Sequence, residues 1–398
     1  MLTSLALIFL MGLSLAAVCR SLGLPGIIGM LAAGVLLGPY ALDLLDPSVL
    51  GVSAELRQMA LVIILIKAGL SLNIADLKRV GRPALLMSFL PAAFEITGYT
   101  LFAPWLLGVT RLEAAMMGAA LGAVSPAIVV PKMVQLIESS YGAAKGIPQM
   151  ILAGASLDDV FVIALFTTFV GMAGGSSASV MELAAVPVSI VLGILLGAAA
   201  GFGLALFFET AFVHQRLIRN SVKMIVVLGA AFLLLAVESW LKGIAAISGL
   251  LAVMSMACAL RLKCVPRVSQ RLAEKFGKLW LAAEVVLFVL VGAAVDIRYT
   301  LGAGLPAVAL IFLALLFRAA GVCLCLTKTS LTPGERLFCV IAYLPKATVQ
   351  AAICSIPLSL GLPCGKLILS VAVLGILITA PLGALGMEAS AQKLLISS

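Results

Sequence analysis

Charged residues are scarce in this sequence. Only 11% of the 398 residues are Asp, Glu, Lys or Arg, whereas 63% are hydrophobic and the mean hydropathy is +1.24. A water-soluble protein of this length needs more surface charge to stay in solution. The alternating pattern of a β-barrel is also lacking, so helices are expected to satisfy the backbone hydrogen bonds in lipid. The composition therefore predicts one all-α polytopic membrane domain over residues 1–398.

Signatures of several other protein classes are missing as well. There is no P-loop or other nucleotide fingerprint, and the eight cysteines lack the CxxC or CxxH spacing of a zinc site or disulfide framework. The only histidine, His214, lies in a basic loop and is expected to be solvated, with pH sensing as the alternative. The net charge of +9 resides in short loops, where basic residues orient a membrane protein. We therefore expect no cofactor and no nucleic-acid partner.

Apolar stretches long enough to cross a bilayer recur along the chain. They predict thirteen transmembrane helices, joined by connections too short for an inserted soluble domain. The first apolar segment, Leu5–Val18, has no preceding Lys or Arg and is interpreted as an uncleaved helix rather than a secretory signal. The predicted spans are 3–18, 26–38, 58–73, 84–106, 113–131, 148–172, 183–208, 222–238, 243–260, 276–295, 301–326, 334–354 and 365–386.

Lys and Arg residues are distributed unequally between alternate connections. One set of connections holds most of them, including the basic runs within 78–82, 216–223 and 261–278, whereas the other set holds only Arg57, Arg111, Lys242, Arg298 and Lys366. Because basic loops stay in the cytoplasm, this bias predicts an N-terminus outside and a C-terminus in the cytoplasm. We expect an integral protein of the plasma membrane.

The predicted spans can be divided into two six-helix halves around a linking helix. We predict a first inverted repeat at 1-172, a linking helix at 183-208 and a second inverted repeat at 222-386. The fifth span contains Pro126, and the twelfth, seven helices later, contains Pro345. A proline in mid-span removes an intrahelical hydrogen bond and clashes with the preceding turn. The matching positions favour two crossed broken helices over simple kinks.

Two adjacent acids, Asp158 and Asp159, lie near the middle of the sixth predicted span. Neighbouring helix positions diverge by about 100°, so one carboxyl group can face an aqueous cavity while the other faces a helix. Desolvation and mutual repulsion favour a protonated carboxyl group, which can exchange its proton for a hard cation such as Na⁺ or Li⁺. The hydroxyls of Ser125, Ser156 or Thr348, with carbonyls freed by the broken helices, would complete the coordination. A structural ion-pair network is the alternative.

Other ionisable residues within spans need partners, because a charge at the bilayer centre costs about 2.5–3.5 kcal/mol. Glu95 and Arg318 lie in mid-span seven helices apart, and we predict that they pair as a structural brace or a gate. Lys346 is expected to compensate the negative C-terminal ends of the broken helices, with competition for the ion as the alternative. Since arginine keeps its proton, the two aspartates would be the only carriers, which favours an electroneutral cycle. Lys67 and Glu284 are interpreted as structural, whereas Glu238 lies near a predicted helix end, where it can reach the membrane surface or water.

Glycines recur at four-residue spacing in two predicted spans. Gly34 and Gly38 lie in the second span, and Gly193, Gly197 and Gly201 lie in the seventh. Such spacing lets two helix backbones approach closely. Packing within the chain is the expected use, and a homodimer seam is the alternative.

Four motifs together carry a resemblance to a known family. At these motifs the sequence resembles the monovalent cation:proton antiporter superfamily, and in particular the NHA-type sodium/proton exchangers. The resemblance extends over essentially the whole chain. The motifs are Gly154–Val160, Ala123–Ala127, Leu344–Gln350 and Leu65–Leu70.

The resemblance implies a fold and a function. It implies the sodium/proton antiporter fold, in a homodimer with a rigid dimerisation domain and a moving six-helix core. It also implies secondary active exchange of Na⁺ or Li⁺ for H⁺ by alternating access, with Asp159 as the principal ligand and Asp158 as its partner. Electrogenic members have a lysine where this chain has Arg318, so Arg318 together with Glu95 resembles the electroneutral type. The compact chain resembles bacterial members, which implies a bacterial inner membrane.

The residues leave other function classes open. A sodium-coupled organic-solute symporter of similar fold would need a larger polar cavity. An intramembrane enzyme acting on a prenyl diphosphate through Mg²⁺ would need spaced acidic clusters, but Val160 and Phe161 follow the acidic pair and the sequence has no second cluster. A passive channel would need selectivity-filter repeats, which are missing. We therefore expect a transporter and no enzyme activity.

Overall fold

The structure of the protein is a computed structural model that describes residues 1–71, 81–139, 141–142, 145–173, 180–213, 219–241 and 247–395. All secondary-structure elements in these ranges are α-helices. In chain order they are α1 (Leu2–Ser21), α2 (Gly26–Leu37), α3 (Pro47–Gly51), α4 (Ser53–Ser71), α5 (Arg82–Met87), α6 (Leu90–Leu107), α7 (Arg111–Leu121), α8 (Pro126–Glu138), α9 (Ile147–Ala173), α10 (Val180–Val213), α11 (Asn220–Trp240), α12 (Gly249–Lys263), α13 (Pro266–Ala293), α14 (Ile297–Cys325), α15 (Pro333–Ala342), α16 (Thr348–Ile353), α17 (Ile356–Ser359) and α18 (Gly365–Leu394).

Each predicted span overlaps one or more of these helices, but the count of thirteen membrane crossings is not confirmed. In the described ranges, nine helical stretches are long and apolar enough to cross a membrane, and two further apolar helical stretches are shorter. α13 begins well before the tenth predicted span. The prediction began too late because the first turns of α13 carry basic residues, and hydropathy detects only the apolar part of a helix. The fourth predicted span is interrupted at Ser88 and Phe89, between α5 and α6.

The described helices form two compact units. The first consists of the described residues of Met1–Arg57, Asn73–Ala173 and Val285–Ser398, and the second of the described residues of Gln58–Leu72 and Gly174–Glu284. These units do not coincide with the predicted division into 1-172, 183-208 and 222-386. Contacts define the units, whereas chain direction defines inverted repeats, so that division stays a prediction.

The glycine spacing in α10 serves packing inside the second unit. A side chain at Gly193 or Gly197 would collide with the backbone of Ser248 or Ala252, at the start of α12. The hydroxyl of Ser255 on α12 donates to the carbonyl of Ile194 at 2.8 Å. In lipid, close van der Waals contact and such interhelical hydrogen bonds supply the attraction between helices. The structure therefore shows these glycines in a helix contact within the chain.

Two short helices of the first unit begin with the same capping box. Thr110 precedes α7 and Thr332 precedes α15, and each hydroxyl accepts from the backbone N–H of a glutamate three residues later. The carboxylates of Glu113 and Glu335 accept in return from the backbone N–H of the two threonines, at 2.8 Å and 2.7 Å. Such reciprocal capping fixes where a helix starts. Both capped helices stop within the membrane domain, and their ends form the candidate site.

Candidate functional site

Two helical interruptions meet in the first unit. The chain is non-helical between Leu121, which ends α7, and Pro126, which begins α8. A second interruption separates α15 from α16 and contains Pro345. The backbone N–H of Ser125 donates to the carbonyl of Pro345 at 2.8 Å, so the two interruptions touch. The pair of broken helices predicted from Pro126 and Pro345 is present in the structure.

Arg318 joins two acidic residues in this region. Its guanidinium donates to Glu95 Oε2 at 2.7 Å and to Asp158 Oδ2 at 3.2 Å. The side chains of all three residues are fully buried. The predicted pairing of Glu95 with Arg318 is therefore observed, and Arg318 also contacts one of the two adjacent aspartates. Removing one member of a buried pair leaves an uncompensated charge, which makes these contacts interdependent.

Lys346 lies in the second interruption and is fully buried. Its ammonium group contacts both carboxylate oxygens of Glu95, at 2.6 and 2.8 Å, and donates to the carbonyl of Leu121 at 2.6 Å. Its backbone N–H donates to the hydroxyl of Thr379 on α18 at 3.0 Å. Leu121 is the last residue of α7, so Lys346 meets the negative end of a broken helix, as the sequence predicts. The two contacts with Glu95 were not predicted.

Protein donors already bind most of the carbonyls at the two interruptions. Arg318 donates to the carbonyls of Gly122 and Tyr343, the latter at 2.5 Å. Gln350 donates to the carbonyls of Leu121 and Ala123, at 3.3 and 2.6 Å. The sequence suggests that freed carbonyls coordinate a cation, but these four accept from side chains of the protein. The reason is that a buried carbonyl at a helix end must find a donor when no ligand is bound.

Four buried side-chain oxygens, on α9 and at the two interruptions, have no hydrogen-bond partner in the described residues. Asp158 is 0% exposed and Asp159 is 3% exposed, and both project from α9. Within the described residues, one carboxylate oxygen of each acid has no hydrogen-bond partner, and neither do the hydroxyls of Ser125 and Thr348. The second oxygen of Asp158, Oδ2, accepts from the backbone N–H of Val124 at 2.8 Å. The side chain of Ser156 lies outside the described part of the chain.

The charges of this site nearly balance. Glu95, Asp158 and Asp159 supply three negative charges when ionised, and Arg318 and Lys346 supply two positive ones. An uncompensated charge in a low-dielectric interior is strongly unfavourable. A site with one excess negative charge and free oxygen ligands can therefore take up either one proton or one monovalent cation.

The other ionisable candidates belong to the second unit or lie outside the described residues. In the second unit, the ammonium group of Lys67 lies 5.9 Å from the ring centroid of Trp280, a cation–π contact. Glu238 and Glu284 each have an interaction partner. His214 lies outside the described residues. These placements are compatible with the structural interpretation of Lys67 and Glu284.

Sequence reasoning missed Gln350 and Thr379. Both are fully buried polar residues that bind the backbone of the interruptions. The available signal is their polarity within apolar spans. The candidates chosen from the sequence were mainly charged residues. Neutral amides and hydroxyls give a weaker signal, because they also form ordinary hydrogen bonds within a helix.

Comparisons with known proteins found relatives over most of the chain. A family profile described as "Sodium/hydrogen exchanger, transmembrane" matches residues 5–389. Sodium/hydrogen exchanger 9B2 of Mus musculus is 32% identical over 377 residues, which cover 91% of this chain and 67% of that protein. Sodium/hydrogen exchanger 9B1 of Homo sapiens is 30% identical over 365 residues, which cover 86% of this chain and 67% of that protein.

A solved structure shares the fold. The sodium proton antiporter MjNhaP1 from Methanocaldococcus jannaschii superimposes with a TM-score of 0.85 at 21% sequence identity, over 99% of this chain and 98% of that chain. The predicted sodium/proton antiporter fold is thereby confirmed. The chain is an integral membrane protein of transporter type, and it belongs to the sodium/hydrogen exchanger family.

Proposed function

We propose that the protein exchanges one Na⁺ or Li⁺ for one H⁺ at Asp158 and Asp159. One observation carries the proposal: two adjacent buried acids each have a carboxylate oxygen without a partner in the described residues. A buried carboxylate needs a proton, a cation or a fixed donor. Because the protein supplies too few fixed donors, the proton and the transported cation compete for the same oxygens. The family membership makes a sodium-coupled organic-solute symporter the less favoured alternative.

The two acids take different parts in this proposal. Asp158 Oδ2 is bound by Arg318 and by the N–H of Val124, so its position is set by the protein. No such fixed contact holds the unpartnered oxygen of Asp159 within the described residues. Asp159 is therefore the principal ligand and proton carrier, and Asp158 is its partner. The hydroxyls of Ser125 and Thr348 complete an all-oxygen site, which suits a hard cation.

The charges of the site favour an electroneutral cycle. One bound proton or one bound monovalent cation neutralises the single excess negative charge, and both loaded forms then carry the same net charge. Arg318 stays protonated throughout because guanidinium does not lose its proton in proteins. We therefore propose a stoichiometry of one H⁺ per cation. Exchange should then be insensitive to the membrane potential.

Access to the site requires a conformational change. Both aspartate side chains are almost fully buried in this structure, so we propose that the ion reaches them when the protein opens to one side. All five charged residues of the site belong to the first unit. We propose alternating access by movement of this core in a homodimer, in a bacterial inner membrane, with the N-terminus outside and the C-terminus in the cytoplasm.

The test is exchange by the purified protein in liposomes that contain a pH-sensitive dye. A pulse of Na⁺ or Li⁺ should drive proton movement, and Asp159→Asn should abolish it. The matched control is Asp43→Asn: Asp43 is exposed and has a φ of 50°, a conformation that asparagine adopts readily. Exchange retained by Asp159→Asn would refute the role of Asp159. Sodium-dependent solute uptake without proton movement would support the symporter.

Clamping the membrane potential at different values separates the stoichiometries. Rates that stay constant agree with one H⁺ per cation, and rates that follow the potential rule it out. Repeating the pulse with K⁺ shows whether the four oxygens accept a larger ion.

A further inference from the structure

Gln350 makes three hydrogen bonds across the two interruptions. It lies in the first turn of α16 and is fully buried. Its amide Nε2 donates to the carbonyl of Ala123 at 2.6 Å and to that of Leu121 at 3.3 Å. Its Oε1 accepts from the backbone N–H of Ala347 at 2.8 Å. One neutral side chain therefore ties the first interruption to the second.

The peptide group between Ala123 and Val124 is bound at both of its ends. Its carbonyl accepts from Gln350, and its N–H donates to Asp158 Oδ2 at 2.8 Å. The C=O and N–H of a trans peptide point in opposite directions, and no cis peptide bond is present in the described residues. The bond from Gln350 therefore fixes the N–H of this peptide toward Asp158 and its carbonyl away from Asp158.

We propose that Gln350 is a positioning residue that determines cation selectivity. This inference rests on the proposed exchange at Asp158 and Asp159. By binding the carbonyl of Ala123, Gln350 keeps that oxygen out of the coordination shell. The same bond keeps the N–H of Val124 on one oxygen of Asp158, which leaves the other oxygen for the ion. The site then offers a small set of side-chain oxygens, and ligand number and cavity size decide which cation fits.

Loss of the amide donor frees this peptide to rotate. The carboxylate of Asp158 then loses an N–H donor, and a carbonyl oxygen becomes available on its side as an additional ligand. A hydrogen bond to a charged group is worth enough to change an equilibrium by about tenfold or more. We expect the KM for Na⁺ and Li⁺ to rise about tenfold, while the KM for K⁺ changes little because a larger ion uses the extra ligand. The maximal rate should change much less than KM.

Two variants remove the donor by different routes. Gln350→Met keeps the length of the side chain and removes the amide, whereas Gln350→Asn keeps the amide but is one methylene too short to span both interruptions. Thermal unfolding in detergent identifies which variants are folded, and one folded variant is sufficient. The matched control is Thr379→Val, which removes a different buried hydrogen bond of the second interruption, that from the N–H of Lys346.

The readout is KM and maximal rate for Li⁺, Na⁺ and K⁺ in dye-loaded liposomes. The proposal expects the ratio of KM for Na⁺ to KM for K⁺ to rise in a folded Gln350 variant and to stay constant in Thr379→Val. An unchanged ratio, or a fall in maximal rate alone, overturns it and makes Gln350 a packing residue. Asp159→Asn in the same series tests the exchange site itself. If that variant still transports, the proposed function fails, whatever Gln350 does.

Discussion

Glu95 contacts two buried basic side chains, those of Arg318 and Lys346. We therefore predict that a second substitution restores the stability lost in Glu95→Gln to a different extent at each of these two residues. Glu95→Gln removes the only carboxylate that Lys346 contacts in the described residues, whereas Arg318 retains Asp158 at 3.2 Å. The single change therefore leaves a buried ammonium group without an acid. Adding Lys346→Met removes that ammonium group and should restore much of the lost stability. Adding Arg318→Met instead leaves both Lys346 and Asp158 unpaired and should restore less.

The magnitude follows from the burial of the cluster. All the partners are 0% exposed, and removing one partner of a buried ion pair costs about 3–5 kcal/mol. Contacting residues in one network show coupling free energies of up to about 3 kcal/mol. We expect a coupling of about 2–3 kcal/mol between Glu95 and Lys346. The coupling between Glu95 and Arg318 should be smaller, because the second change also breaks the pair with Asp158.

The same variants should separate in transport. Glu95→Gln removes the excess negative charge of the site, so the KM for Na⁺ should rise, and Lys346→Met should bring it back by restoring that charge. The assays are thermal unfolding in detergent and cation-evoked proton movement in liposomes, with Gln135→Ala on the exposed face of α8 as the control. Strictly additive losses of Glu95→Gln and Lys346→Met would refute the shared network. So would a greater rescue by Arg318→Met.

Two further predictions use matched pairs within single helices. Asp158→Asn should lower the free energy of unfolding by about 3 kcal/mol, because it breaks a buried ion pair. Asp159→Asn should leave the free energy of unfolding unchanged or raise it. Equal losses in the two variants would contradict the different roles assigned to the two aspartates. Gly197→Ala should impair folding, because a Cβ there meets the backbone of Ala252, whereas Gly203→Ala on the same helix meets open space. Detergent-solubilised yield of monodisperse protein measures this second contrast, and equal yields would contradict the close helix contact.

The broken helices could be predicted because their signal is local. Proline cannot continue the backbone hydrogen bonds of a helix, and Pro126 and Pro345 lie at the two interruptions. The pairing of Glu95 with Arg318 was predictable for a similar reason. Each charge is too costly alone at its depth in the membrane, and the two lie at matching positions in the chain.

The remaining contacts depend on how helices rotate about their axes, which hydropathy does not encode. Depth alone could not show that Lys346 reaches Glu95 or that Arg318 reaches Asp158. Depth also could not show which carbonyls of the interruptions accept from Arg318 and Gln350, because these donors are distant in sequence. Coordination of the cation by freed carbonyls stays a prediction. The start of α13 was also missed, since its basic first turns are helical without being apolar. The relation of 1-172 and 222-386 as inverted repeats stays a prediction.

The reciprocal caps of α7 and α15 have a consequence for the speed of turnover. Each short helix is anchored at its start by its own threonine and glutamate. At the end of α7, Lys346 and Gln350 donate to the carbonyl of Leu121 and Arg318 donates to that of Gly122, whereas at the end of α15 Arg318 donates to the carbonyl of Tyr343. We therefore expect the scaffold to keep its shape whether the site holds a metal ion, a proton or neither. A site that does not refold when the ion leaves should turn over faster. It also offers the same geometry to the proton and to the monovalent cation.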